Sequence, residues 1–306
     1  MSEKWTISNV PNLSGKVIVI TGATSGLGFE DAKVFAQKGA MIILACRNMD
    51  KAKKTFAKIL KKQPNAQVEI IKLDLTSLDS IHKFATEFKE KYDRLDILVN
   101  NAGIMMVPYQ TTEDGFESQM GTNHLGHFAL TGLLYDLIIK TDGARIVNVS
   151  SNGHKFGDID FKNFMFEDGE GYSRTKAYGN SKLANLLFTY ELDRRLKADN
   201  ANVIAVAAHP GMANTSLADH MMGWFAPVLK GLFGLFMQSA AKGALPTIRA
   251  AVDPNVQSGD YYGPGGRNEH RGYPVKVESN EKSHNVEDAK KLWQVSEELT
   301  GVKYGD

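Results

Sequence analysis

A single cysteine, Cys46, stands in 306 residues, so the chain can form no internal disulfide and no cysteine-based metal cluster. It closes an apolar, strand-like run and reads as an inert buried thiol. Excess charge is missing as well. The 36 Lys and Arg against 35 Asp and Glu leave a net charge of +1, and no basic stripe marks a nucleic-acid surface. The lysines between Lys51 and Lys62 alternate with apolar residues at helical spacing, the pattern of a solvated helix face. The opening MSEKWTISNVPNLSGK has no apolar signal core, which makes a cytoplasmic location the expectation. No Pro-rich linker and no solenoid-period repeat divides the chain, so residues 1–306 are expected to form one domain, with a core from about 16 to 250.

Long hydrophobic runs are scarce. Met221–Gln238, MMGWFAPVLKGLFGLFMQ, is 18 residues long with one charge, Lys230. A spanning helix needs roughly 20 apolar residues, and Pro227, Lys230 and three glycines weaken this one. The stretch reads either as an amphipathic surface anchor or as a mobile hydrophobic lid, over about 215–240, above a binding site.

What the chain does contain is alternation. KVIVITG, AMIILACR, VEIIKLDL, LDILVNNAG, ARIVNVSS and NVIAVAAHPG read as six strands. Helical patterns separate them, including Asp50 to Lys62, Ser77 to about Lys91, and Phe116 to Ile139. Parallel neighbours need crossover helices, so the pattern predicts an α/β fold: a Rossmann-type, doubly wound parallel sheet with helices on both faces. Ligands of such sheets bind beyond the carboxyl ends of the strands.

Three features lie at or near those ends. TGATSGLG follows the first strand, with glycines spaced Gly-x-x-x-Gly-x-Gly, so that the backbone of Gly22, Thr24, Ser25, Gly26, Leu27 and Gly28 can approach a pyrophosphate at a helix N-terminus. Arg47 ends the second strand where an NAD site usually offers a carboxylate, and its fork of donors suits a 2′-phosphate, which favours NADP(H) over NAD(H). Tyr178 precedes Lys182 by four residues in AYGNSKLANLLF, one helical turn apart on one face. A nearby cation makes a phenol a stronger acid than its usual pKa of about 10 implies.

Thr-Gly-x-x-x-Gly-x-Gly, Asn-Asn-Ala-Gly at Asn100–Gly103, a serine after the fifth strand and Tyr-x-x-x-Lys occur in the order found in the short-chain dehydrogenase/reductase family, which the chain resembles from about Lys16 to Ala250. The resemblance implies an oxidoreductase that moves a hydride between nicotinamide and an alcohol or carbonyl carbon. Tyr178 would then be the general acid/base, and Lys182 would lower its pKa and bind the nicotinamide ribose. Ser151 would hold the substrate oxygen, with Ser150 as the alternative, and Asn123 would position a water for proton relay. Asp74 and Leu75 would hold adenine, and Asn101, Ala102 and Gly103 would line the adenosine ribose. Pro210, Gly211 and Thr215 of HPGMANTSL would reach the nicotinamide or its phosphates. His124, His127, His154 and His209 have no zinc spacing, and no metal is expected.

The chain departs from compact family members between Ser151 and Tyr178, 27 residues apart where roughly a dozen is usual. With RLKADN and HPG downstream, this is most similar to the branch of retinol dehydrogenases and related reductases, without the membrane anchor many of those carry. The insertion, about 154–175, brings Phe161, Phe164, Met165 and Phe166. These side chains either cover a medium-sized apolar aldehyde, ketone or alcohol together with the lid, or pack onto the sheet. The tail from 253 to 306 reads as an ordered loop that could bring Tyr261 and Tyr262 to the substrate, then a last helix near Val286–Leu299. The expected assembly is a monomer or homodimer, because the insertion obstructs the tetramer of compact members. A dinucleotide-binding sensor or scaffold without turnover is the rival reading.

Overall fold

The six anticipated runs are strands: β1 (Val17–Thr21), β2 (Met41–Cys46), β3 (Val68–Lys72), β4 (Ile97–Asn100), β5 (Ala144–Val149) and β6 (Val203–Ala208). The structure is a computed structural model that describes residues 4–213 and 238–305. Two further strands come from the tail, β7 (Tyr261–Pro264) and β8 (Pro274–Lys276), where the sequence suggested only a loop. The eight form one sheet in the order β3-β2-β1-β4-β5-β6-β7-β8. All neighbours are parallel except the edge pair β7–β8. Ala207 and Ala208 of β6 pair with Tyr261 and Tyr262, which is what turns a Tyr-Gly-Pro stretch into a strand.

Helices cover both faces. Ile18 and Ile20 of β1 point into a core shared with Ala32 and Phe35 of α1 (Gly26–Gln37), Ala52 and Ile59 of α2 (Met49–Lys62) and Ile248 of a late helix, Ala240–Val252. The alternate residues Val17 and Val19 face the other side, against Phe84 and Phe88 of α3 (Leu78–Lys91). That period-2 division is how a fully buried strand serves two layers. The residues expected to form one helix over Phe116–Ile139 are instead α4 (Ser118–Met120), a π turn (Gly121–Leu125), α5 (Gly126–Leu133) and α6 (Tyr135–Lys140). Gly126 permits this: a Cβ there would stand 2.6 Å from the Leu75 carbonyl oxygen.

The long helix α7 (Arg174–Ala198), capped by the Ser173 side chain, carries Tyr178 and Lys182. The helix Ala240–Val252 follows as α8, and α9 (Val286–Thr300) is capped by Asn285 and ended by left-handed Gly301, close to the expected span. α9 lies on α7, with Trp293 packed against Phe128 and Phe188. The insertion packs too. Phe161 stacks on Phe164, and both join Leu183 and Leu187 of α7 and Leu292 of α9 in one apolar cluster. Phe166 is buried and sits edge-on to Tyr172. Of the two readings of these aromatics, packing is the one observed, though against α7 and α9 and not onto the sheet, and none of Phe161, Phe164, Met165 and Phe166 lines the cleft described next.

Candidate active site

Beyond the carboxyl ends of the strands lies a cleft of about 1670 Å³. It runs across β1 and β4, where the strand order reverses. Its β1–α1 wall holds Gly22, Thr24, Ser25, Gly26 and Leu27. Gly22 and Gly26 have φ of +68° and +58°, a conformation that disfavours any side chain. Gly28 stands just behind them, where a Cβ would lie 2.6 Å from the Asn101 amide nitrogen. The space it leaves lets Asn101 donate to the Thr21 carbonyl at 2.8 Å. Thr21 in turn accepts the backbone N–H groups of Asn101 and Ala102, both at 2.9 Å. The first and fourth strand ends are thus locked together, with Asn101, Ala102 and Gly103 on the cleft wall.

Arg47 reaches the rim with most of its side chain exposed, its Nε 3.9 Å from Asp74. Asp74 lines the cleft beside Leu75 and is held by the Thr76 hydroxyl and N–H at 2.7 and 3.0 Å. Asn48 and Lys51 share this rim. The sequence reading placed Lys51 on a solvated helix face. Its position in the first turn of the helix after the second strand is the signal that could have placed it at the cleft.

At the other end, Ser151 of the serine turn and Tyr178 of α7 both line the cleft. Gly153 makes room for this, because a Cβ there would meet the Tyr178 ring at 2.7 Å. Ser150 is the neighbour turned inward: its hydroxyl donates to the Lys182 carbonyl at 2.8 Å. Lys182 is buried, with its Nζ donating to the Val149 carbonyl at 3.1 Å and lying 5.9 Å from the Tyr178 ring centre. Burial lowers the Lys182 pKa to about 8. Burial also raises that of Tyr178, against a smaller opposing effect of the Ser151 hydroxyl. The direction of the Tyr178 shift is set by desolvation of the phenol and not by Lys182, whose acidifying influence was the sequence expectation.

Asn123 lies behind the cleft, inside the π turn. Its amide donates to Ser181 Oγ at 2.9 Å and to the Ile104 carbonyl at 3.0 Å, and its Oδ1 accepts the Ile104 N–H at 2.8 Å. The Asn123 carbonyl accepts from His127 Nδ1 at 3.0 Å, so neutral His127 has a bare Nε2, which takes the Thr21 hydroxyl at 2.9 Å. His154 Nδ1 likewise donates to the Ser151 carbonyl at 2.6 Å. The histidines are structural partners of the site, and no group of His, Cys, Asp and Glu among the described residues could hold a metal ion. Burial pushes the Cys46 thiol up to about 11.

Pro210 and Gly211 line the cleft after β6, opposite the serine turn. Thr215, and the Met221–Gln238 stretch read as a lid apart from Gln238 itself, lie outside the described residues. Tyr261 and Tyr262 are buried in the sheet and do not border the cleft, contrary to the sequence expectation. Apolar lining comes instead from residues with no distinctive pattern: Ile104, Met105, Met106, Val107, Phe156 and Met212. Glu269 is a charged lining residue that no motif or spacing singles out.

The family model described as short chain dehydrogenase matches residues 16–164. Human retinol dehydrogenase 12 is 40% identical over 294 residues, covering 95% of this chain and 88% of that protein. Human retinol dehydrogenase 11 is 40% identical over 306 residues, with 99% and 91% coverage. Among solved structures, an uncharacterized protein of Mycobacterium paratuberculosis superposes with a TM-score of 0.83 at 38% identity, over 99% of this chain and all of that one. A short chain dehydrogenase of Shigella flexneri, solved with NADP, shares the fold at a TM-score of 0.64 and 22% identity, over 82% of this chain and 97% of that one. No helix among the described residues is long and apolar enough to cross a membrane.

Proposed function

The chain belongs to the short chain dehydrogenase family, on its retinol dehydrogenase-like side, and from that premise we propose that it is an NADP(H)-dependent oxidoreductase acting on a medium-sized apolar aldehyde, ketone or alcohol. The observation that carries this reading is that Ser151, Tyr178 and buried Lys182 line the same cleft as the glycine turn. The residues present suit a dinucleotide: at Gly22 and Gly28 a Cβ would stand 2.9 Å or less from its neighbours, so bare backbone is what meets the phosphates. Gly22 through Leu27 would hold the pyrophosphate, Arg47 with Asn48 and Lys51 the 2′-phosphate, Asp74 and Leu75 the adenine, Asn101 to Gly103 the ribose, and Pro210 and Gly211 the nicotinamide side. Thr215 is assigned to the same side by resemblance.

Bound, the reduced cofactor supplies the hydride. Ser151 and Tyr178 hold the substrate oxygen between two hydroxyls and stabilise the charge that develops on it. Desolvation keeps the Tyr178 phenol protonated at neutral pH, the form that can give its proton to that oxygen. Lys182, anchored on the Val149 carbonyl, places an ammonium beside the phenol that must become anionic. Asn123 fixes the π turn and the backbone of Ile104, and so the wall opposite. The apolar lining supports a lipophilic substrate. A cytoplasmic location is part of the same proposal, and so is a monomer or homodimer, since the insertion packs on α7 where a helix-to-helix tetramer would form.

The test is cofactor oxidation with lipophilic aldehydes and ketones, comparing NADPH with NADH and wild type with Tyr178→Phe. The expected result is turnover with NADPH and a loss of about 10³-fold in kcat for the variant, with cofactor affinity unchanged. NADPH binding with no turnover across a widened panel would make the sensor reading the better one.

A further inference from the structure

Two turns face each other at the substrate end of the cleft, and a third segment joins them. The first is the serine turn, Ser151 to Phe156; the second is His209 to Met212 after β6. The third is the loop between β7 and β8, residues 265–273. Glu269 on this loop accepts from His209 Nε2 at 2.9 Å and stands 3.8 Å from Lys155 Nζ of the serine turn. The proton on His209 Nε2 is fixed by chemistry, because its Nδ1 accepts the Gly211 N–H at 3.2 Å. His209 is fully buried, so without an acceptor at Glu269 that N–H would be orphaned.

Contacts to the loop's backbone carbonyls repeat the pattern. The Met212 N–H donates to the His270 carbonyl at 2.8 Å, and the Asn152 amide donates to the Asn268 carbonyl at 3.5 Å. Gly211, at φ +64°, could not carry a Cβ, which would lie 2.5 Å from the His270 oxygen and 2.7 Å from that of Glu269. At Gly263 a Cβ would lie 2.0 Å from His209 Nε2, so the glycine clears the way for the histidine to reach Glu269. The loop itself is strained, with Asn268 and Glu269 consecutive at φ +54° and +57°. A left-handed glutamate is an outlier that persists only where surrounding contacts over-determine it.

We propose that Glu269 is a positioning residue, the centre of a Lys155–Glu269–His209 clasp that sets the gap between the serine turn and the Pro210–Gly211 turn. The inference rests on reading the cleft as a hydride-transfer site, since that gap is then the one separating the substrate oxygen's holder from the nicotinamide side. Near-attack geometry is sensitive to displacements of an ångström or less, so opening the clasp slows the hydride step while leaving cofactor binding intact.

Two variants separate the links. Glu269→Gln keeps an acceptor for His209 and removes the charge facing Lys155; Glu269→Ala removes both. Amide hydrogen exchange is read at Gly153 and Gly211, one on each turn. In Glu269→Ala, exchange at both is expected to rise together by about tenfold, with α1 and α7 unchanged. In turnover, kcat is expected to fall about tenfold, with a larger deuterium isotope effect from cofactor labelled at the transferred position and a cofactor Kd within twofold. Glu269→Gln is expected to show about a third of that loss, and it covers the case in which the alanine variant does not fold. Faster exchange confined to residues 265–273, or a loss of activity that merely tracks the folded fraction, would overturn the clasp. Wild-type protein that reduces no carbonyl would sink the oxidoreductase reading instead, and the exchange data would still decide the clasp.

Discussion

The two ends of the cleft are built by different means. The end assigned to the dinucleotide is mostly backbone: left-handed Gly22 and Gly26, the space at Gly28, and strand ends tied by Thr21 to the N–H groups of Asn101 and Ala102. The end assigned to the substrate is held by side chains that join distant parts of the chain, such as His209 to Glu269 and His154 to Asn280. A backbone site needs the right φ values and no bulk at the glycines, and here few side chains beyond Thr21 and Asn101. A side-chain site depends on each partner's burial and protonation state. Cofactor binding should therefore be the robust property of this molecule, and positioning of the substrate the fragile one.

The largest effect that sharpens the contrast is expected from Phe164→Ala. Phe164 packs among Leu183, Leu187 and Leu292 behind the substrate end, so its truncation should cost about 3 kcal/mol in chemical unfolding. Because it does not line the cleft, KM for an apolar carbonyl should stay within twofold, and a tenfold rise in KM would mean that the insertion borders the substrate after all.

Acid gives the next effect. Burial lowers the His154 pKa to about 4 from 6.5, so between those values the unfolded chain binds a proton that the folded chain refuses. Stability is present above pH 6.5 and is lost as the pH falls toward 4, by about 2 kcal/mol at pH 5 for this one group. Its hydrogen bond to Ser151 puts that loss at the substrate end. Exchange measured from pH 7 to pH 5 should rise in the serine turn, and also at Asn101 and Ala102, because burial lowers His127 to about 4 as well and His127 takes the Thr21 hydroxyl. An unchanged serine turn would break the prediction.

The smallest concerns the side chains on the cofactor rim. Arg47→Ala should cut the preference for NADPH over NADH about tenfold and leave NADH affinity unchanged, as titration of both cofactors would show. A parallel loss of NADH affinity would mean that this end, too, depends on its side chains.

The same division explains what could be read in advance. Strands β1 to β6 are apolar runs whose pattern is local, and the glycine turn and the Tyr178–Lys182 spacing are local too. Strands β7 and β8 were missed because Tyr-Tyr-Gly-Pro and Pro-Val-Lys look like loop, and only pairing with β6 makes the first a strand. The π turn was invisible because GTNHLGHF has ordinary helical spacing, and the close approach of Gly126 to Leu75 is tertiary. Glu269 was out of reach for the same reason: its partner His209 is 60 residues away, and nothing in a glutamate announces a left-handed backbone. For the aromatic residues in the insertion, substrate cover and packing stayed open as alternatives because composition cannot tell which side of a segment meets the core.

The packing of α9 also has a consequence in time. His124, next to Asn123 in the π turn, is bonded through Nε2 to Ser296 at 2.9 Å, and Trp293 and Tyr304 close the aromatic cluster around Phe128. Residues made early are thus finished by residues made late. At about 10 residues per second, the ribosome would hold the growing sheet for on the order of ten to twenty seconds before α9 exists to cover it. During that interval Phe128 and Phe188 would lie open, which makes the nascent chain, rather than the folded protein, the form most in need of a chaperone.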